Sequence, residues 1–255
     1  MLKQISALKN MKYSTTNAKN VFLTDAHMHL NELSDSRYDD IKCLSAAITC
    51  TARRSEWYAP LTNDIPAVCS YGIHPWYCEE WNESTHSELI SILEKDSKSC
   101  VGEIGLDAKH GDISKQIIPF IEQMKICSEY GRVATIHMVG GCEKHILDTL
   151  REYGKGCKGE IIHSFKGPVS YVKAFTESGC YFSVSPRIML MSEEKIRKIL
   201  CSIPSDRLLL ETDYPNTGRN FESMEKHLTD ISSVLKTDCE ELSHIIYDNI
   251  KRLIE

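Results

Sequence analysis

Residues 21–29 read VFLTDAHMH, a short apolar run followed by two histidines with one residue between them. The apolar run predicts a first β-strand over 21–25, and alternate residues of an extended chain project to the same side. His27 and His29 are therefore expected to point together from the carboxyl end of this strand. A doubly wound open sheet, the main alternative, would carry a glycine-rich phosphate loop here. The segment contains no glycine, which favours a (β/α)₈ barrel.

The same alternation of short apolar runs and helix-length amphipathic segments continues along the chain. Such alternation indicates βα units and a parallel sheet, and eight units in about 250 residues are typical of a TIM barrel. We therefore expect an α/β protein with one (β/α)₈ TIM-barrel domain over 21–255 and a mobile N-terminal tail over 1–20. The predicted strands are 21–25, 44–50, 67–72, 100–104, 133–137, 160–163, 180–183 and 208–211, and the predicted helices are 87–96, 116–130, 142–153, 169–177, 192–202 and 222–235.

The composition excludes several classes of protein. Apolar residues make up 42% and charged residues 26% of the 255 residues, as in an ordinary globular chain. No apolar stretch of about 18 residues is present, so no membrane-spanning helix and no membrane partner are expected. The net charge of −6 argues against binding nucleic acid by bulk positive charge, but not against an enzyme that contacts a few phosphates. The eleven cysteines form no Cys-x-x-Cys pair, which favours reduced thiols and a cytoplasmic protein.

Side chains that can bind a metal stand at the carboxyl ends of most predicted strands. Barrel enzymes keep their active sites at this face, and five of the ten histidines fall there. Three neutral imidazoles already suffice for a metal site, and here two carboxylates accompany them. The sequence thus predicts a metal centre built from His27, His29, His74, Glu103, His137, His163 and Asp213.

Two acids are the candidate catalytic residues. Glu103 is flanked by Gly102 and Gly105 and by apolar residues, where an unpaired carboxylate would be costly to bury. A metal would offset that cost, and the two carboxylate oxygens can bridge two ions. Asp213 follows the apolar strand of residues 208–211, where an acid can bind metal and also accept a proton from an activated water. Glu211 is expected to support it from below.

Seven motifs lie in order between about residues 21 and 253, and together they are specific. They are DAHMHL (25–30), YGIHP (71–75), GEIGLD (102–107), Gln116 with Phe120 and Gln123, IH (136–137), HSF (163–165) with Gly167, and ETDYP (211–215). With them the chain resembles the TatD-type metal-dependent deoxyribonucleases, a group of amidohydrolase-like TIM barrels. The resemblance implies a phosphodiesterase that acts on DNA, often as an exonuclease, with two divalent metal ions.

The resemblance also implies a role for each residue of the centre. His27, His29, Glu103 and Asp213 would hold one ion, and Glu103, His137 and His163 would hold the other. His74 would face a phosphate oxygen, and Asp213 would orient a hydroxide held between the ions and take its proton. The histidine-rich shell suits Zn²⁺ or Mn²⁺, whereas the family is described as working with Mg²⁺ or Mn²⁺, so the ion stays open among these three.

The chain departs from the family pattern on the substrate side. Met138 follows His137 where the family has an arginine, and Trp76 follows the His-Pro pair where it has a second histidine. Ala108 replaces an aromatic residue after Asp107. The missing positive charge could come from Lys166, Arg187 or the pair Arg53 and Arg54, and a base could stack on Trp76 and Tyr77. The predicted substrate-binding residues are His74, Trp76, Lys166 and Arg187.

Two other functions remain open. The same metals could hydrolyse an amide, an ester or a lactone, which the loss of the arginine after His137 favours slightly. Alternatively, the barrel could act mainly as an interaction partner with vestigial catalysis, although an intact ligand set argues against that. If DNA is the substrate, we expect weak, transient binding, because the chain has 30 basic against 36 acidic residues.

Overall fold

The computed structural model describes residues 21–32, 41–58, 65–216 and 223–255. Eight parallel strands pair there in chain order within one sheet. Two hydrogen bonds link the last strand region to the first, from the Asp213 amide to the His27 carbonyl (2.9 Å) and from the His29 amide to the Tyr214 carbonyl (2.8 Å). The sheet thereby forms a nearly closed barrel, and the predicted (β/α)₈ fold is confirmed. The tail predicted over 1–20 lies outside the described residues.

The strands and helices alternate around this barrel. The strands are β1 (Thr24–Met28), β2 (Ala46–Cys50), β3 (Ala67–Tyr71), β4 (Cys100–Asp107), β5 (Val133–Val139), β6 (Gly159–Ile162), β7 (Cys180–Val184) and β8 (Leu208–Leu210). The α-helices are α1 (Glu83–Lys95), α2 (Ile113–Glu129), α3 (Glu143–Tyr153), α4 (Val172–Glu177), α5 (Glu193–Leu200), α6 (Met224–Leu235) and α7 (Cys239–Ile254). None of these helices combines the length and apolar character needed to cross a bilayer.

Helix starts follow local capping chemistry. The Asn82 side chain accepts hydrogen bonds from the amides of Ser84 and Thr85, while the Thr85 hydroxyl accepts the Asn82 amide, so a complete capping box begins α1. Asp112 and Asp238 cap α2 and α7 in a similar way. These caps explain why α1 and α2 begin three or four residues before the predicted starts, which followed only the apolar periodicity.

Two strands differ from their predicted extents in a way that matters for function. β4 continues to Asp107 and β5 to Val139, so Glu103 and His137 lie within strands and not at their ends as predicted. The pairing register shifts between Asp25 and Met28 in β1 and between Val101 and Ile104 in β4. Such irregularities turn a side chain relative to strict alternation, and each of these includes a residue of the predicted metal centre.

The barrel has two apolar cores. The larger one packs the outer strand faces against the helices and includes Phe120, Phe175 and Phe182. The smaller one draws residues from seven strands and from α7, such as Ile48, Leu209 and Ile250, and fills the barrel interior. Because this inner core occupies the lower part of the barrel, polar side chains converge only above it, at the carboxyl ends of the strands.

Candidate metal centre

The predicted metal-binding side chains converge at the carboxyl-terminal mouth of the barrel. Each of the seven is at most 9% exposed, and all of them except His27 line a cavity of about 290 Å³. Glu103 from β4 lies at the centre of the group, and its two carboxylate oxygens face different sets of neighbours.

The first set of neighbours lies around Glu103 Oε2. His27 Nε2 is 3.3 Å and His29 Nε2 is 3.7 Å from this oxygen, and the two nitrogens are 3.2 Å apart. Asp213 Oδ1 is 3.9 Å from His27 Nε2 and 3.8 Å from His29 Nε2. Donor atoms on one Zn²⁺, each about 2.1 Å from the ion, lie roughly 3–3.5 Å apart, so this group has close to the spacing of a ligand set.

The second set lies around Glu103 Oε1. Three imidazole nitrogens approach this oxygen: His137 Nδ1 at 2.6 Å, His163 Nε2 at 3.0 Å and His74 Nε2 at 3.4 Å. The nitrogens of His137 and His163 are themselves 3.2 Å apart. The structure therefore also brings together the residues predicted for a second ion, with His74 beside them.

Two glycines allow Glu103 and His137 to come this close. Gly102 and Gly105 have φ values of 155° and 140°, which side chains rarely tolerate. A Cβ on Gly105 would lie 2.1 Å from the His137 carbonyl oxygen, and one on Gly102 would lie 2.8 Å from Thr135 Cβ. Both glycines thus permit a close approach of the two backbones, which aligns β4 with β5.

The position of Asp213 is set by its backbone conformation and by a hydrogen bond of its amide. It has a left-handed conformation with φ 55°, which is uncommon for a residue with a side chain and clusters at functional sites. Its amide donates a hydrogen bond to the His27 carbonyl, which fixes the position of Asp213 relative to the carboxyl end of β1. Burial raises the pKa of its carboxyl group above the usual value, more than the neighbouring His163 and His27 lower it.

The donor chemistry of the mouth fits a cation. His29 Nδ1 lies 3.0 Å from the Cys50 carbonyl oxygen, and a carbonyl can only accept, so Nδ1 carries the proton. Burial, followed by the charge of His27, lowers the pKa of His29 to about 4, so the ring is neutral and its Nε2 is a bare lone pair. That lone pair faces the carboxylates of Glu103 and Asp213, an arrangement that a bound cation stabilises.

The central carboxylate is kept ionised. Burial alone would raise the pKa of Glu103, but the positive character of His163, His74 and His27 outweighs burial and holds the pKa well below its usual value. A buried anion among imidazoles is a ligand set for a divalent ion of the Zn²⁺ or Mn²⁺ type. Three groups of side chains have ligand atoms within 4.8 Å of one another, namely His27, Glu103 and His163; His27, His29 and Asp213; and His74, Glu103 and His137.

The model of the family described as TatD related DNase matches residues 24–255. The chain belongs to this family. The chain is also similar to proteins described as metal-dependent hydrolases: the uncharacterized metal-dependent hydrolase YabD of Bacillus subtilis is 27% identical, over 91% of this chain and 98% of its own. The 3'-5' ssDNA/RNA exonuclease TatD of Erwinia tasmaniensis is also 27% identical, over 64% of this chain and 65% of its own.

Solved structures agree on the fold. The TatD homologue YjjV of Escherichia coli superposes with a TM-score of 0.79 at 20% identity, covering 91% of this chain and 97% of that one. A TatD family hydrolase of Entamoeba histolytica gives a TM-score of 0.73 at 18% identity, covering 92% and 98%. The protein is therefore a TatD-family metal-dependent hydrolase with a TIM-barrel fold.

Two acids outside the predicted metal-binding set lie beside histidines of the mouth. Asp107 Oδ2 lies 3.4 Å from His137 Nε2 and accepts a hydrogen bond from the Trp76 indole at 2.7 Å. Glu211, which was expected to support Asp213, has its Oε1 atom 3.4 Å from His163 Nδ1, and its other carboxylate oxygen accepts a hydrogen bond from the Ser183 hydroxyl. The sequence signal for Asp107 is its place in the GEIGLD motif (102–107), because the strand predicted over 100–104 did not reach it.

The predicted substrate-binding residues also border the mouth. His74, Trp76, Lys166 and Arg187 all line the cavity, and Arg187 Nη1 lies 3.5 Å from Asp213 Oδ2. Trp76 is 50% exposed, and its ring stacks on His110 with centroids 4.7 Å apart. Lys166 and Arg187 thus place positive charge beside the cavity.

Arg53 and Arg54, in contrast, are engaged elsewhere. Arg53 Nη2 lies 2.6 Å from Glu80 Oε1, with its guanidinium over the Tyr77 ring, and Arg54 Nε lies 2.6 Å from Glu88 Oε2. Neither arginine lines the cavity. The suggestion that they replace the missing charge after His137 is therefore not supported, because each is paired with a nearby acid.

Proposed function

We propose that the protein is a divalent-metal-dependent deoxyribonuclease that removes nucleotides from a DNA end. The observation that carries this proposal is the position of Glu103, whose two oxygens each face a separate group of nitrogen donors. One carboxylate between two donor groups is the arrangement expected of a hydrolytic centre with two ions. The exonuclease described in Erwinia tasmaniensis supports the choice of substrate and reaction.

The donor groups divide between two ions of Mg²⁺, Mn²⁺ or Zn²⁺. His27, His29, Asp213 and Glu103 would hold one ion, and Glu103, His137 and His163 would hold the other. When bound, such ions neutralise charge on a phosphate and make water acidic enough to attack it. The buried side chains of these residues would hold such ions away from bulk solvent.

The remaining steps fall to side chains of the mouth. The Asp213 carboxylate orients the attacking water and accepts its proton, a role suited to a carboxyl whose burial favours the protonated form. His74 approaches the phosphate, while Lys166 and Arg187 attract the DNA backbone and Trp76 stacks on a base. Because Lys166 and Arg187 are the only lysine and arginine that line the cavity in the described part of the chain, we propose weak, transient DNA binding. A cytoplasmic location stays a prediction from the cysteine pattern.

End-labelled single-stranded DNA tests the proposal. Wild-type protein with Mg²⁺, Mn²⁺ or Zn²⁺ should shorten the DNA, and Glu103→Gln should reduce the rate by about 1,000-fold, since several kcal/mol of transition-state stabilisation are lost. Glu160→Gln is the matched control, because Glu160 is an equally buried strand glutamate remote from the mouth. If highly purified wild-type protein leaves single- and double-stranded DNA intact with all three metals, the nuclease assignment is wrong.

A second candidate function has one observation in its favour. Met138 and Val139 line the cavity directly after His137, so part of the wall is apolar. An apolar wall suits an amide, ester or lactone better than a phosphate. A panel of small esters and amides assayed beside a phosphodiester distinguishes the two activities, since the nuclease should prefer the phosphodiester. Vestigial catalysis in an interaction partner would instead leave all these substrates intact.

A further inference from the structure

Cys50, the last residue of β2, contacts both histidines of the His-x-His pair. Its carbonyl oxygen lies 3.0 Å from His29 Nδ1, and its sulfur lies 3.3 Å from His27 Nδ1. Cys50 and His27 are both 0% exposed, so no bulk water competes for these contacts. The thiols of Cys100, Cys127 and Cys142, in contrast, donate to backbone carbonyl oxygens.

We propose that Cys50 is a positioning residue that orients both imidazoles of the pair toward the metal centre. Its carbonyl fixes His29, and its thiol sulfur accepts the Nδ1 proton of His27. The inference rests on the metal centre of the proposed function and adds a residue that the sequence motifs do not include. Cys50 itself does not bind the ion.

The shape of the imidazole ring separates Cys50 from the ion. Nδ1 and Nε2 point away from the ring in different directions, and His27 Nε2 faces Glu103 Oε2 at 3.3 Å while Nδ1 faces the sulfur. An ion on Nε2 requires a lone pair there, so the single proton of the neutral ring sits on Nδ1. The Cys50 sulfur then accepts the hydrogen bond from Nδ1–H, which stabilises this tautomer and fixes the orientation of the His27 ring.

The position of β2 explains why one residue serves both histidines. Met28 of β1 pairs with Thr49, so Cys50 lies level with the end of β1, where the two imidazoles leave the backbone. Its side chain shares the inner face of β2 with Ala46 and Ile48 and therefore lies beneath the rings. A residue without a polar side chain at this point would leave His27 Nδ1 buried without a partner.

Zn²⁺ binding to metal-free protein tests the inference, measured by competition with a chromophoric chelator. Cys50→Ala should bind Zn²⁺ about 10- to 100-fold more weakly than wild type, the usual cost of losing a hydrogen-bond partner of a metal-binding histidine. Cys50→Ser keeps an acceptor and should restore most of the affinity. Cys100→Ala is the matched control, because Cys100 is a buried strand thiol of the same inner core with no imidazole partner.

Nuclear magnetic resonance of the Zn²⁺-loaded proteins gives a readout independent of affinity. The His27 Nδ1 proton should exchange slowly in wild type and in Cys50→Ser, and faster in Cys50→Ala. Equal Zn²⁺ affinity and equal exchange in wild type and Cys50→Ala would overturn the positioning role and leave the proposed function intact. Wild type that binds no Zn²⁺, Mn²⁺ or Mg²⁺ would overturn the metal centre and this inference together.

A direct bond from Cys50 to the metal is the competing outcome. Wild-type protein loaded with Cd²⁺ would then show a thiolate charge-transfer absorption that is missing in Cys50→Ser, and Cys50→Ser would bind Zn²⁺ as weakly as Cys50→Ala. Either result would overturn the assignment of Cys50 as a positioning residue. We expect no such absorption, because the sulfur lies on the Nδ1 side of His27.

Discussion

Glu103 and Glu160 are both buried glutamates on barrel strands, yet their pKa values are shifted in opposite directions. Glu103 is 4% exposed on β4 and Glu160 is 3% exposed on β6. The pKa of Glu103 is held well below its usual value, whereas burial raises the pKa of Glu160 to about 8. The first lies at the mouth, and the second lies near the amino end of its strand.

The difference lies in their partners and not in their burial. Glu103 is surrounded by imidazole nitrogens, whose positive character stabilises the anion. Glu160 has no hydrogen-bond or ion-pair partner among the described residues, so only the loss of water acts on it. A buried carboxyl is thus a candidate site only where other polar groups converge on it, and in the described part of the barrel that happens at the mouth.

The largest effect that tests this comparison concerns stability against pH. Below about pH 4.5 the Glu160 carboxyl is protonated in both the folded and the unfolded protein. Between about pH 4.5 and about pH 8 the carboxyl loses its proton in the unfolded protein but keeps it in the folded one. Wild type should therefore lose about 1.4 kcal/mol of unfolding free energy per pH unit relative to Glu160→Gln, or about 4 kcal/mol from pH 5 to 8. Urea unfolding of both metal-free proteins measures it. A wild-type-to-variant difference that stays constant with pH would show that Glu160 is ionised in the fold.

The next effect tests whether the close packing of Gly105 against His137 is needed to form the surroundings of Glu103. Gly105→Ala should lower the free energy of unfolding by about 3 kcal/mol, because its Cβ would lie 2.1 Å from the His137 carbonyl oxygen at a φ of 140°. Gly141→Ala is the control, since Gly141 also has a positive φ, 86°, but no atom within 4 Å of its Cβ. Equal losses for both variants would show that backbone conformation, and not the approach to His137, makes Gly105 necessary.

The smallest effect concerns Trp76, which lines the cavity beside Glu103, whereas Glu160 does not line this cavity. Trp76→Ala should raise the KM for single-stranded DNA about 10-fold with little change in kcat, because one stacked base contributes about 1–3 kcal/mol. Trp76→Phe keeps an aromatic plane while losing the hydrogen bond to Asp107, so its KM should stay near wild type. If Trp76→Phe is as impaired as Trp76→Ala, the tryptophan acts through Asp107 and not by stacking.

Much of the fold and the candidate centre could be predicted because the relevant signals are local. Apolar periodicity located the strands to within a few residues, and residue type alone singled out His27, His29 and Asp213. The sequence missed the extension of β4 beyond Glu103, because Gly105, Leu106 and Asp107 do not alternate like a half-buried strand. It also named Arg53 among the candidates for the missing positive charge, since a pairing with Glu80 across 27 residues leaves no local signature.

The sequence by itself determined the eight βα units, the inventory of metal-binding side chains and the family to which the chain belongs. Only the tertiary structure decided which atoms meet: the register shifts in β1 and β4, the division of donors between the two oxygens of Glu103, and the contact of Cys50 with His27. The physical reason is that strand periodicity depends on neighbouring residues, whereas register and pairing depend on how distant segments pack. Glu160 illustrates the same point, because its raised pKa follows from an absence of partners that no local pattern reveals.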